Sequence, residues 1–470
     1  MLASDFMPAI VAQLLTWIFV IYIYSRDKHR PEGVSLALIF PLLWYLVCAS
    51  RPVGVWFIIW GVPMPGGGGA MEGSPIDRMF WSGLTVIGWV ILARRRISWG
   101  AFASRNALPL MWSDYSSVSF KRYIKIIGSV TMALVVLTER DPFAAFTTLI
   151  RRAAIFHLPF SLLFIRYYRE LGISWSWDGS SVSWQGIATS KNTLGQVAMV
   201  AAIYFLWEVI RHWKERGWKN LNFGYLLLAI YLLKGSDDAL SLTSISVFVF
   251  AVIVFWRLNH YQKQNKPVAP FVATIMVATF SLLTLVIVHS VVMFEEDSPF
   301  GWIIVNMGRD ITLTDRTVIW GQVYDVAAAS PLLGLGVGGF WIGRLANIPF
   351  TEPLTWTLGQ AHSGYVDTYL QLGWAGLFLF FLIVMNTCRN LLGTIKINFE
   401  AGRLFLTLFL TILYVNITET TFLRGDHHLW FIFQVVIWQT LIRPSDDSDQ
   451  PAINPVETPN IPKHETLGYS

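Results

Sequence analysis

Arg309 and Arg316 stand in "GRDITLTDRTVIW" (308–320), a polar passage with strongly apolar neighbours on both sides. A guanidinium presents a planar fork that grips phosphate or carboxylate oxygens bidentately. Near a helix start, the unpaired N–H groups and the macrodipole add to that attraction. Thr314 is the expected N-cap, with Asp315 in the first turn, of a helix that runs to about Ser330 and stops at Pro331. Arg316 and Trp320 then share one face, while Arg309 lies in the lead-in. The chemistry implied is capture of an anionic oxygen at a bilayer surface, with Asp310 and Trp320 as further substrate-side candidates. Pairing of Arg309 with Asp310, and of Arg316 with Asp315 or a lipid headgroup, is the structural alternative. Both stay open on the residues alone.

A second constellation follows in "AHSGYVDTYLQLGWAG" (361–376). His362 is expected at the outer mouth of a span, with Asp367 about one turn inside. Ionisable groups at a membrane boundary are costly unless partnered, which makes them functional candidates. The histidine titrates near neutrality and suits a general base. For Asp367 the structural reading is the stronger one, a bond to a neighbouring helix. Between the two stretches, "SPLLGLGVGGFW" (330–341) spells G-x-G-x-x-G at Gly334, Gly336 and Gly339. A dinucleotide site needs a strand before that pattern, and here a Pro-stopped helix precedes it. The glycines are read instead as a tight turn laying backbone against the membrane subdomain. "PGGGG" (65–69) lacks the Lys-Ser/Thr of a phosphate loop and reads as a flexible connection.

The elements that position these residues must be membrane helices. Of 470 residues, 54% are hydrophobic and 14% charged, whereas soluble proteins carry about 25% charged residues. Apolar stretches of spanning length fall near 8–24, 33–51, 79–94, 99–114, 120–138, 153–169, 193–210, 221–234, 240–257, 269–293, 363–387, 400–416 and 427–442. The fold class expected is an all-α polytopic membrane protein with about twelve or thirteen spans. The first stretch is long enough to be a span rather than a cleavable signal. Cys48 and Cys388 lie far apart in apolar surroundings, which argues against a disulfide framework or a metal cluster.

Basic clusters at 26–30, 94–96, 151–152, 211–219 and 257–266, with Arg389 and Lys396, all fall on one side of one consistent alternation. By the positive-inside rule that side is cytoplasmic. The other side collects 112–114, 170–192, 235–238, the long stretch 294–362 and "NITETTFLRGDHH" (416–428). Long connections are either functional or disordered. The aromatic and glycine content of 294–362 favours an ordered, membrane-embedded extracytoplasmic subdomain with short helices. Residues 1–443 form the membrane domain, and the acidic, Pro-rich 444–470 a disordered cytoplasmic tail.

Taken with "GIATSKNTLGQ" (186–196), "RRAAIFHLPFSLLFIRYYRELG" (151–172), "SLTSI" (241–245) and "NITETTFL" (416–423), these passages resemble the O-antigen ligase and polysaccharide polymerase superfamily, in its exopolysaccharide polymerase-like flavour. The resemblance implies an inner-membrane glycosyltransferase, independent of metal and without cofactor. Such an enzyme moves a glycan from an undecaprenyl pyrophosphate carrier to an acceptor at the periplasmic face. The acceptor is lipid A-core for a ligase and another carrier-linked repeat for a polymerase. The superfamily's arginines map to Arg309 and Arg316, its histidine to His362 and its Lys-Asn pair to Lys191 and Asn192, with Arg166 as a further basic contact. Ser363 departs from the usual Asn after the histidine, and Ser236-Asp237-Asp238 is acidic where relatives often are not.

The chemistry fits: fixed cations stabilise a pyrophosphate leaving group, a histidine takes the acceptor proton, and in-line attack inverts the anomeric centre. The alternatives are a lipid-linked sugar transporter or flippase, and a protein O-oligosaccharyltransferase. Transporters carry related halves and a midplane site, whereas here the polar residues gather at one face.

Overall fold

The computed structural model describes residues 7–26, 33–62, 74–95, 116–175, 182–212, 218–236, 241–292, 295, 298–306, 316–337, 340–343 and 359–439. Its principal helices are α1 (Ala9–Arg26), α2 (Ile39–Ala49), α3 (Val53–Ile59), α4 (Pro75–Arg94), α5 (Ser116–Leu137), α6 (Pro142–Tyr167), α7 (Lys191–Arg211), α8 (Trp218–Gly235), α9 (Ser241–Lys263), α10 (Ala269–Val292), α11 (Pro299–Asn306), α12 (Arg316–Ala327), α13 (Gly364–Ile397), α14 (Phe399–Val415) and α15 (His428–Trp438). A single antiparallel pair, β1 (Ile173–Trp175) on β2 (Val182–Trp184) with Ser174 opposite Ser183, is the one sheet among the described residues. The protein is an all-α polytopic membrane protein.

Among the described residues, six helices are long and apolar enough to cross a membrane, or seven if α2 and α3, bent by 66°, form one broken span. The other apolar stretches read from sequence, apart from 99–114, also form helices, but they do not meet the same test of length and composition. The expected span 99–114, Arg309, Asp310, Gly339, the 65–69 glycines and the 444–470 tail lie outside the described residues.

Two boundaries differ from the sequence reading. The helix expected from 153 begins at Pro142, because Asp141 accepts the Ala144 N–H and Pro142 occupies the first turn. Arg151 and Arg152 therefore lie well inside α6 rather than at its end. Helix α13 reaches Ile397, and it is broken at Gly373, whose φ of 61° and ψ of −162° are not helical.

The centre of the molecule is built on α7 and α14, which are buried on nearly every side. Ala198, Ala201 and Ala202 of α7 are all but inaccessible, and small residues let helix backbones approach closely where lipid provides no hydrophobic drive. Helix α8 packs along α7, and α9 lies against both α7 and α14.

The glycine-rich segment makes the expected turn. Gly334 and Gly336 have φ of 72° and 90°. Their backbone pairs with the break in α13: Leu335 N–H donates to Leu370 O, Gly336 N–H to Gln371 O, and Trp374 N–H to Pro331 O. A Cβ on Gly334 would lie 2.4 Å from the Gln371 carbonyl carbon. No side chain fits where two backbones meet so closely.

Candidate active site

The described site residues gather at one end of the bundle, around a carboxylate that the sequence reading passed over. Glu419 lies in the connection between α14 and α15, with its side chain 5% exposed. Three elements reach the same oxygen, Oε1. Arg316 Nη2, at the start of α12, is 3.3 Å away. Asn192 Nδ2, in the first turn of α7, donates at 3.4 Å. His362 Nδ1, just before α13, stands at 3.7 Å. The N-termini of α7, α12 and α13 thus converge on one anion, and their partial positive charge favours negative groups there.

Local structure explains the convergence. Ser190 caps α7 by accepting the Thr193 N–H, which fixes where Asn192 begins to project. Gly364 N–H donates to the carbonyls of Asn416 and Glu419, each at 2.9 Å. That pins the start of α13 to the Glu419 connection. A Cβ on Gly364 would sit 2.1 Å from Asn416 Oδ1, so only glycine allows this contact.

His362 itself has φ of 52°, a left-handed backbone that costs a non-glycine residue about 1–3 kcal/mol. Its neighbours hold it there. Trp320 Nε1 donates to Ala361 O at 2.6 Å, and Ala361 N–H donates to Asp367 Oδ2 at 3.1 Å. Trp341 Nε1 occupies the other oxygen of Asp367 at 2.7 Å. Asp367 thus holds the loop before α13 through Ala361 and Trp341. Trp320, a substrate-side candidate by sequence, is 1% exposed and braces the histidine loop from behind.

Electrostatics bind the cluster. Burial pushes the Glu419 carboxyl up, but His362 and Arg316 outweigh it and hold the group below the usual glutamate range. The carboxylate is thus ionised and can stabilise an imidazolium. Two neighbours compete for His362 Nδ1. Gln360 has its Oε1 engaged by Arg424 at 2.7 Å, so its Nε2 faces Nδ1 at 3.3 Å as a donor. Glu419 asks the same nitrogen to carry a proton. An Nδ1 that accepts from Gln360 belongs to a ring protonated at Nε2, whereas an Nδ1–H turned to Glu419 leaves Nε2 free to accept a proton.

Lys191 begins α7 beside Asn192. Arg166 is not brought to this cluster: it lines a separate open cavity of about 660 Å³ with Arg169 and Glu170. A second cavity, of about 330 Å³, opens directly on Glu419, Asn192 and Gln360. Cys48 and Cys388 are both free and buried.

An O-antigen ligase family model matches residues 221–381. The exopolysaccharide production protein ExoQ of Rhizobium meliloti (strain 1021) is 25% identical over 291 residues. Over these stretches the chain is similar to the O-antigen ligase-like superfamily. The alignment with ExoQ covers 61% of this chain and 63% of that relative, less than two thirds of its length. The family match holds Arg316 and His362, while Asn192 and Glu419 lie outside it on either side. The fold closes that gap, bringing residues from before, within and after the matched stretch to one carboxylate.

The sequence did carry a signal for Glu419. It is an acidic residue between apolar spans, in a passage already grouped with the extracytoplasmic material, and ionisable groups at such boundaries need partners.

Proposed function

We propose that this protein is a glycosyltransferase of O-antigen ligase or polysaccharide polymerase type. It transfers a glycan from an undecaprenyl pyrophosphate carrier to an acceptor hydroxyl. The observation that carries this reading is the meeting of Arg316, His362 and Asn192 at the buried carboxylate of Glu419. In the reaction, the acceptor oxygen bonds to the anomeric carbon from the face opposite the pyrophosphate. The bond from that carbon to the pyrophosphate oxygen breaks, the leaving group keeps the electron pair, and the anomeric centre inverts. The acceptor proton passes to His362 Nε2, and Glu419 stabilises the resulting imidazolium, as a carboxylate does behind a catalytic histidine. Arg316, with Arg309 and Lys191, holds the pyrophosphate and balances its developing charge. The acceptor is another carrier-linked glycan or lipid A-core.

The charge distribution supports a periplasmic site in the inner membrane. Arg26, Arg94, Lys263 and Lys396 occupy the last turns of α1, α4, α9 and α13, at the end of the bundle remote from Glu419. The positive-inside rule makes that end cytoplasmic. Cysteines placed at Glu296 and Ser445 should label from opposite sides; labelling from one side would overturn the orientation.

The activity itself is tested with purified protein, an undecaprenyl pyrophosphate-linked glycan and an acceptor, with chelator present. Transfer with inverted configuration in the product, read by NMR, is the expected result. Retention of configuration, or transfer abolished by the chelator, would contradict this mechanism.

A further inference from the structure

Besides Glu419 and Asn192, the 330 Å³ cavity is lined by groups that the transfer chemistry above does not use. Part of its lining comes from the start of α7, where Asn192 and Gln196 lie one turn apart. Gln196 is 4% exposed, and its amide oxygen has no hydrogen-bond partner among the described residues. Asn192 donates its Nδ2 to Glu419, and its Oδ1 is a second buried oxygen without a donor among the described residues. Buried polar atoms are normally satisfied, so both oxygens mark a place for a ligand rich in O–H groups.

Charge narrows the ligand. The lining holds three carboxylates, Asp77, Glu419 and Asp426, against two cations, Lys125 and Arg424. Both cations are engaged: Lys125 pairs with Asp426 at 2.9 Å, and Arg424 donates to Gln360 at 2.7 Å. Such a wall repels a further anion. The lining also includes Trp81, braced edge-on by Trp44 with ring centres 4.4 Å apart. A hydroxyl-bearing edge and an apolar face are what a sugar ring presents. The volume is near the lower end of the roughly 300–1,000 Å³ typical of ligand pockets, so it suits one ring rather than an oligosaccharide.

We propose that this cavity is the subsite for the terminal sugar of the acceptor, and that it takes an uncharged monosaccharide residue and rejects a uronic acid. The assignment rests on the transferase reading above. Glu419 and Gln360 line the cavity and also flank His362 Nδ1, so a sugar seated there places its hydroxyls next to the proposed base.

The test is binding to the full-length protein in detergent, by saturation-transfer NMR and titration calorimetry. The probes are methyl glucoside, methyl galactoside and methyl mannoside, with methyl glucuronide as the charged counterpart and inorganic pyrophosphate as a control. At least one neutral glycoside should bind wild type, about tenfold or more tightly than the glucuronide. Gln196→Leu should weaken that binding by about tenfold and leave pyrophosphate binding unchanged. Gln196→Met, which keeps the unbranched shape, is read in parallel should the branched side chain disturb folding. Binding of the glucuronide as tight as that of the glycosides, neutral binding unaffected by either variant, or no glycoside binding at all overturns the proposal. Absence of transfer from a lipid-linked donor would instead remove the enzymatic reading and leave these binding results standing.

Discussion

Helix α14 has an arginine–glutamate pair at each end, and the two are built differently. At its start, Arg403 Nη2 meets Glu400 at 2.5 Å, and the other arm of Arg403 bonds Asn259. Beyond its end, Arg316 meets Glu419 at 3.3 Å, and that same oxygen is shared with Asn192 and His362 at 3.4 and 3.7 Å. The first pair is short and closed. The second is loose, sits beside a polar cavity and draws partners from three helix starts. A third pair, Arg95 with Glu139, follows the closed pattern at the same end as Arg403: 2.5 Å, with Ser35 donating both its N–H and its hydroxyl to the carboxylate. The short pairs take their further partners from the fold, Asn259 for Arg403 and Ser35 for Glu139. The open one faces a cavity where a substrate can reach it.

The largest effect expected from this contrast is at His362. His362→Gln retains a hydrogen-bonding group but cannot carry the proton, so transfer should fall by about 10²–10⁴-fold, the usual range for a general base. Donor binding should survive. A robustly active Gln variant would assign the histidine a positioning role only.

Arg316→Lys comes next. Lysine keeps the charge and loses the planar fork, so most of the activity should disappear while the protein remains folded and inserted. Near-normal transfer would reduce the Arg316–Glu419 contact to an ordinary ion pair of the closed kind.

Glu139→Gln should do the opposite. Its side chain is 1% exposed, and removing one partner of a buried pair costs roughly 3–5 kcal/mol. Thermal stability should drop, with transfer per folded molecule unchanged. A selective loss of activity would mean that the closed end is not merely structural.

The smallest effect concerns pH. His427 caps α15 through Nδ1, which accepts the Leu429 N–H. Burial lowers its pKa well below the ordinary value, helped by His428 and Arg424. A folded pKa below the unfolded one, about 6.5, means that its contribution is fully present above pH 6.5 and is lost as pH falls below it. Glu419 and Asp426 are also held below their ordinary values, so their contributions change only below about pH 4. The melting midpoint should therefore decline between pH 7 and 5.5, and His427→Asn, a good cap that does not titrate, should flatten that decline. An unchanged slope in the variant would place the sensitive group elsewhere.

The sequence revealed the framework well where apolar length and charge placement decide it, and it singled out Arg316 and His362 from residue type and position. Asn192 came through resemblance to the superfamily. Glu419 did not, because its meaning lies in contacts across long separations: Arg316 is 103 residues away and Asn192 is 227. No local pattern encodes such partners. The early start of α6 was legible in principle, since Asp141-Pro142 is a capping signal inside a run read only for hydropathy. The break at Gly373 was not, because it is imposed by the backbone of 331–336 docking against α13. Trp320 was rightly placed on the face of Arg316, but burial turned it from substrate contact to brace.

His362 and Glu419 are expected to act as one unit. The most direct measurement is a double-mutant cycle of transfer rates for wild type, His362→Gln, Glu419→Gln and the double variant, with folding verified for each. Groups that act as a unit are strongly non-additive. The double variant should therefore be no slower than the slower single one. Losses that multiply would show that the two residues act independently and would contradict the account.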